Sequence, residues 1–127
     1  MHSPTNTQNT LFASIMIEER AEYPDQIVYI QFNNQILTAK IDFFKNIFQK
    51  EVDAKNIKLV LDFELIDILY SVHLGHLMAA WQKFKKLGGE IKVCSLQDSV
   101  EAIFERFGML KRIAHYSTPQ EAIGNFS

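Results

Sequence analysis

The sequence predicts an α/β fold, or α+β should strands and helices segregate, with a mixed sheet of four to five strands and about four helices. Three observations predict it. Short alternating or continuous apolar runs recur at Ile27 to Phe32, Lys58 to Phe63 and Ile91 to Val93, the patterns of half-buried and fully buried strands. Apolar residues spaced three and four apart fill Ala39 to Lys50, Ser71 to Leu87 and Ser99 to Phe107, as on one face of a helix. The two kinds of segment alternate along the chain, which calls for crossover connections and a sheet covered by helices.

Each element has its own signal. Ser14 to Glu18, with Ile15, Met16 and Ile17, reads as a first strand, and Tyr23-Pro24-Asp25 as the turn after it. In Ile27 to Phe32, Val28, Ile30 and Phe32 alternate with Tyr29 and Gln31 before Asn33-Asn34 ends the strand. Thr38 is placed to N-cap the helix over Ala39 to Lys50, whose Ile41, Phe44, Ile47 and Phe48 share a face. Leu59, Leu61 and Phe63 share one side of the next strand. The helix over Ser71 to Leu87 has the strongest stripe, Leu74, Leu77, Met78, Trp81 and Phe84. Lys83, Lys85 and Lys86 suit its negative C-terminal end, and Gly88-Gly89 stops it. Ile91 and Val93 mark a strand ending at Ser95. Val100, Ile103, Phe104 and Phe107 define a helix closed by Gly108. Ile113 to Tyr116 gives a last short strand, and Thr118-Pro119 opens a final helical turn through Ala122. The order is β-β-α-β-α-β-α-β-α.

The 127 residues, 47% of them apolar and ten of them Phe, suit one domain over 13–127 behind a flexible leader over 1–12. A net charge of -2 argues against nucleic acid as a partner, since phosphate binding calls for a basic surface. No apolar run nears the roughly 20 residues that span a bilayer, and no basic amphipathic stretch suggests a membrane surface. Cys94 has no second cysteine to pair with, which predicts a reducing, cytoplasmic setting.

Signals for catalysis are weak. No G-x-G-x-x-G, P-loop, G-x-S-x-G or H-E-x-x-H occurs, so no enzyme activity and no cofactor are expected. His73 and His76 would share a helix face, but no third ligand joins them at a zinc-like spacing and no metal is expected. Asp62, Glu64 and Asp67 read as a solvated acidic loop, and Cys94 as a small buried residue. An enzyme or small-ligand binder on this fold would need a deep pocket with convergent polar groups.

Leu59-Val60-Leu61-Asp62, then seven residues, then Tyr70-Ser71-Val72-His73-Leu74-Gly75 and a helix ending in Gly88-Gly89, resembles the STAS family. These are the anti-sigma-factor antagonists and their relatives in sulfate transporters and stress-signalling assemblies. Phe107-Gly108-Met109-Leu110 and Gln120-Glu121-Ala122 also have counterparts there, without gaps from Leu59 to about Ala122. The resemblance implies an anti-sigma-factor-antagonist-like fold and a protein-interaction role: binding an anti-sigma factor that is also a serine kinase, with a homodimer allowed. Ser71 falls where the family carries its phosphorylated serine. Tyr70 replaces the preceding aspartate, Val72 the second hydroxyl residue and His73 the first glycine of the family motif. Gln35-Ile36-Leu37 lacks the second acidic residue many members have. The implied partner surface comprises Leu37, Thr38, Tyr70, Ser71, Val72 and His73, with His73 able to tune binding by titrating near neutrality. Two uses of Ser71 stand open: an N-cap only, or a phosphorylation switch at the helix's positive end. An alternative role is a STAS scaffold that receives no phosphate, a subunit of a lipid-transport or stress-signalling complex.

Overall fold

A computed structural model of the chain describes residues 16–39 and 41–126, with the backbone alone for Ile41 and Phe43. The expected leader, and Ser14 and Ile15 of the expected first strand, lie outside the described residues. The sheet has five strands in the order β1 to β5: Ile17–Tyr23, Ile27–Phe32, Lys58–Asp62, Glu90–Cys94 and His115–Tyr116. The helices among the described residues are α1 (Ile41–Asp53), α2 (Ser71–Lys86), α3 (Asp98–Arg106) and α4 (Pro119–Gly124). β1 pairs antiparallel with β2, and the remaining pairs are parallel, so the sheet is mixed as expected.

Three crossovers, β2-α1-β3, β3-α2-β4 and β4-α3-β5, each step to the adjacent strand in the same direction. A right-handed crossover repeated in one direction puts every helix on the same face. The main core shows this: Ile30, Leu61 and Val93 from the sheet meet Phe44 and Ile47 of α1, Leu74 and Phe84 of α2, and Phe104 of α3. The opposite face holds a smaller cluster of Ile27, Tyr29, Val60, Cys94 and Ala122, to which α4 contributes.

The first strand lies later than the apolar pattern suggested, at Ile17–Tyr23, because residues 18–22 are mostly charged and carry no apolar period. They form a strand through backbone pairing, from Tyr23 opposite Ile27 to Ile17 opposite Phe32. Arg20 fastens this edge to α1. Its Nε and Nη2 donate to the buried Glu51 carboxylate at 2.8 and 2.9 Å, and Asn56 adds a third donor at 3.0 Å.

Two other expectations are corrected. Thr38 does not cap α1, which starts at Ile41; its hydroxyl donates back to the Gln35 carbonyl oxygen at 3.3 Å and closes the short turn Asn34–Leu37. Asp62 is no loop residue. It ends β3 and is fully buried, because the pleat puts it on the face that holds Val60. There it accepts from the Tyr29 hydroxyl at 2.5 Å, Gln31 Nε2 at 3.4 Å and the Glu64 N–H at 2.8 Å. A buried carboxylate requires such partners. Burial, reinforced by the Asp62 bond, pushes the Tyr29 phenol well above its ordinary pKa. Glu64 and Asp67 are exposed as expected, and Cys94 is buried, its thiol pushed up to about 12 by desolvation.

Gly88-Gly89 stops α2 with paired bonds, Gly89 N–H to Phe84 C=O at 2.8 Å and Gly88 N–H to Lys85 C=O at 3.1 Å. Gly88 takes φ +84, and a Cβ on Gly89 would overlap the Ile57 carbonyl oxygen, where β4 begins beside β3. Gly89→Ala is therefore expected to lower the unfolding free energy by about 1–3 kcal/mol in urea denaturation. Tyr29→Phe removes a donor from buried Asp62 and should cost about 1–3 kcal/mol in the same assay.

Candidate functional site

The segment from Phe63 to Tyr70 joins β3 to α2. Phe63, Ile66 and Leu69 point into the core, leaving Leu65 and Ile68 41% and 46% exposed. The start of α3 holds this loop in place: Gln97 Nε2 donates to the Glu64 carbonyl at 2.7 Å and Ser99 Oγ to the Asp67 carbonyl at 2.6 Å.

Tyr70, with extended φ and ψ, is the residue that caps α2, and Ser71 is the first helical position. The N-cap reading of Ser71 therefore fails. Its side chain is exposed, and its hydroxyl has no hydrogen-bond partner among the described residues. Tyr70 and Val72 on either side are 52% and 45% exposed. The exposed surface at the start of α2 is thus a serine hydroxyl set among apolar side chains.

His73 does not face outward as expected. Its ring is buried at 4% exposure, edge-on to Phe44 at 5.9 Å and stacked with Tyr70 at 5.8 Å. Nε2 donates to the Ile36 carbonyl at 3.0 Å, and Nδ1 accepts from the Tyr70 N–H at 3.2 Å. Those two bonds require the neutral ring with its proton on Nε2. Burial, with the neighbouring His76 acting in the same sense, lowers the pKa of His73 below 6.5. His73 is thus a positioning group. It fixes the cap residue at one nitrogen, and at the other it ties the turn carrying Leu37 and Thr38 to the first turn of α2. Leu37 is half-buried and Thr38 exposed.

The structure accordingly brings Leu37, Thr38, Tyr70, Ser71 and Val72 to one end of the sheet, with His73 beneath them. Leu65 and Ile68 belong to the same exposed stretch and were missed in the sequence. Their signal was the three-residue spacing of Phe63, Ile66 and Leu69, which leaves the intervening apolar residues outside. Among the described residues no group of three or more His, Cys, Asp or Glu could hold a metal ion. No helix of the described residues is long and apolar enough to cross a membrane.

A family model described as the STAS domain matches residues 19–122. The chain belongs to the STAS family. Solved structures share the STAS fold seen here. A putative anti-sigma factor antagonist from Thermotoga maritima, TM1081, superposes with a TM-score of 0.73 at 17% identity, covering 89% of this chain and 95% of that one. RsbS of Moorella thermoacetica gives 0.69 at 13% identity over 83% and 92% of the two chains. Bacillus SpoIIAA in its phosphorylated form gives 0.63 at 12% identity over 84% and 96%. This STAS domain therefore resembles the anti-sigma-factor antagonists in fold.

The depressed pKa of His73 sets a pH window for the STAS domain. The unfolded ring takes up its proton near pH 6.5 while the folded ring still resists it. The contribution of His73 to stability is then complete above that pH and falls as the pH drops below it, by up to about 1.4 kcal/mol per pH unit. Glu51, whose burial is outweighed by its bonds to Arg20 and Asn56, has a pKa below 4.5 and adds its own loss only in stronger acid. Unfolding curves between pH 7.5 and 5 should show the decline, and His73→Gln should flatten it, at a cost of about 1–2 kcal/mol near neutrality.

Proposed function

We propose that this STAS domain regulates by binding another protein at the edge formed by Leu37, Thr38, Tyr70, Ser71 and Val72. The partner proposed is an anti-sigma factor that is also a serine kinase, with Ser71 as the group it phosphorylates. The observation that carries the reading is Ser71, exposed at the first position of α2 and with no hydrogen-bond partner for its hydroxyl among the described residues, with exposed Tyr70 and Val72 beside it. A phosphate there would add about -1.5 to -2 charges at the positive end of a 16-residue helix, which the fold accommodates. An apolar or acidic partner surface would be repelled by the same charge. Structures of SpoIIAA in both phosphorylated and unphosphorylated forms share this fold, in keeping with such a switch. The buried thiol of Cys94 suits a reducing, cytoplasmic setting.

A second reading has its own observation. Tyr70, Val72, Ile68 and Leu65 make the surroundings of Ser71 more apolar than a phosphate site requires, as suits a permanently occupied contact. The chain would then be a scaffold subunit that receives no phosphate, in a stress-signalling or lipid-transport complex. A stressosome structure with this fold, at a TM-score of 0.69 and 14% identity, is in keeping with that role.

Mass spectrometry after incubation with a serine-kinase anti-sigma factor and ATP separates the two readings. The switch predicts phosphate on Ser71, and Ser71→Glu weakening binding about tenfold or more at unchanged Tm. An unmodified Ser71, with Ser71→Glu binding as the wild type does, favours the scaffold. Val72→Asp should weaken partner binding under both readings, and undiminished binding by it would remove this edge from consideration.

A further inference from the structure

α1 and α2 lie side by side on the covered face of the sheet, and a cleft of about 250 Å³ opens between them toward solvent. Its floor is apolar, made by Phe48 and Val52 of α1 and by Ala80 and Phe84 of α2. The space exists because α2 presents Ala79 and Ala80 where α1 presents larger side chains, so the two helices are not filled in against one another. The rim is polar and of one sign. Lys45 and Lys83 stand on opposite sides with His76 and Gln49, and none of the described residues that line the cleft is a carboxylate. The Lys83 ammonium donates to the neutral Gln49 Oε1 at 2.6 Å, while the amide nitrogen of Gln49 is taken by Asp53 at 2.8 Å. Neither lysine enters an ion pair among the described residues.

We propose that the cleft between α1 and α2 binds a small anionic amphiphile, a medium-chain carboxylate, with its alkyl chain on the Phe48–Phe84 floor and its head group between Lys45 and Lys83. Shape and charge argue for this occupant together. The volume lies below the roughly 300–1,000 Å³ of drug-sized sites and suits a single unbranched chain. The floor would remove that chain from water, and two rim lysines that enter no ion pair among the described residues complement one negative charge. The proposal is independent of what docks at Tyr70 to Val72, because the cleft is lined by other residues.

Monomeric decanoate, kept below its aggregation concentration, can be titrated into the isotope-labelled full chain and followed by amide NMR. Saturable shifts centred on Val52, Ala79 and Ala80 are expected. The K45Q/K83Q double variant, altered only at exposed side chains, should bind about tenfold weaker or less, and neutral decanol likewise. Ala79→Phe, a change at an exposed position that plugs the cleft, should abolish the shifts at unchanged Tm. The proposal is overturned by shifts that do not saturate or that centre elsewhere, or by decanol binding as well as decanoate. It is equally overturned if the same amides move with protein concentration alone, which would make a second copy of the chain the occupant.

Discussion

The sidedness of the crossovers governs this molecule. A strand-helix-strand step has one permitted hand, and here three such steps run in one direction across the sheet. α1, α2 and α3 therefore share a face, and the strands carry their apolar side chains to it at every second residue. The C-terminal ends of β2, β3 and β4 all open onto the same edge, and the helices start there. That edge collects the turn with Leu37 and Thr38, the loop with Leu65 and Ile68, and the first turn of α2. Side-by-side helices are also what make a cleft between α1 and α2 geometrically available.

Within this frame the buried polar groups act as ties between elements. Asp62 joins β3 to β2 through Tyr29 and Gln31, Glu51 joins α1 to β1 through Arg20, and His73 joins α2 to the turn after β2 through Ile36. Lys92, buried on the second face, reaches Glu90 at 3.2 Å and lies over the Phe126 ring at 4.9 Å, anchoring the end of the chain against β4. Each group has partners, as burial demands. Each also costs more to disrupt than a surface contact would, since the partner left behind stays out of water.

How much of this was legible depends on whether a residue's environment is set locally. β2, β3, β4 and the stripes of α1 and α2 could be read because burial imprints periods of two and 3.6 on the chain. Of β1 only its place in the order could be read and not its extent, since an edge strand of charged residues is held by backbone bonds that leave no mark on side-chain pattern. Asp62 looks like the start of an acidic loop until the pleat is counted from Leu59. His73 looks like a surface histidine because its acceptor, the Ile36 carbonyl, is 37 residues away. Thr38 carries the right chemistry for a cap, yet a turn one residue earlier claims its hydroxyl. The family motif points to the start of α2 without disclosing that Tyr70, rather than Ser71, occupies the capping position.

That one-position difference separates two free energies. The Ser71 hydroxyl makes no hydrogen bond among the described residues, so replacing it takes no side-chain bond away from the fold they show. His73, two residues on, is the reverse: almost invisible from outside, yet any change to its ring is felt by the fold. Two residues of one motif, two positions apart, thus differ in what they hold: the side chain of Ser71 is exposed, and the ring of His73 ties the first turn of α2 to the fold.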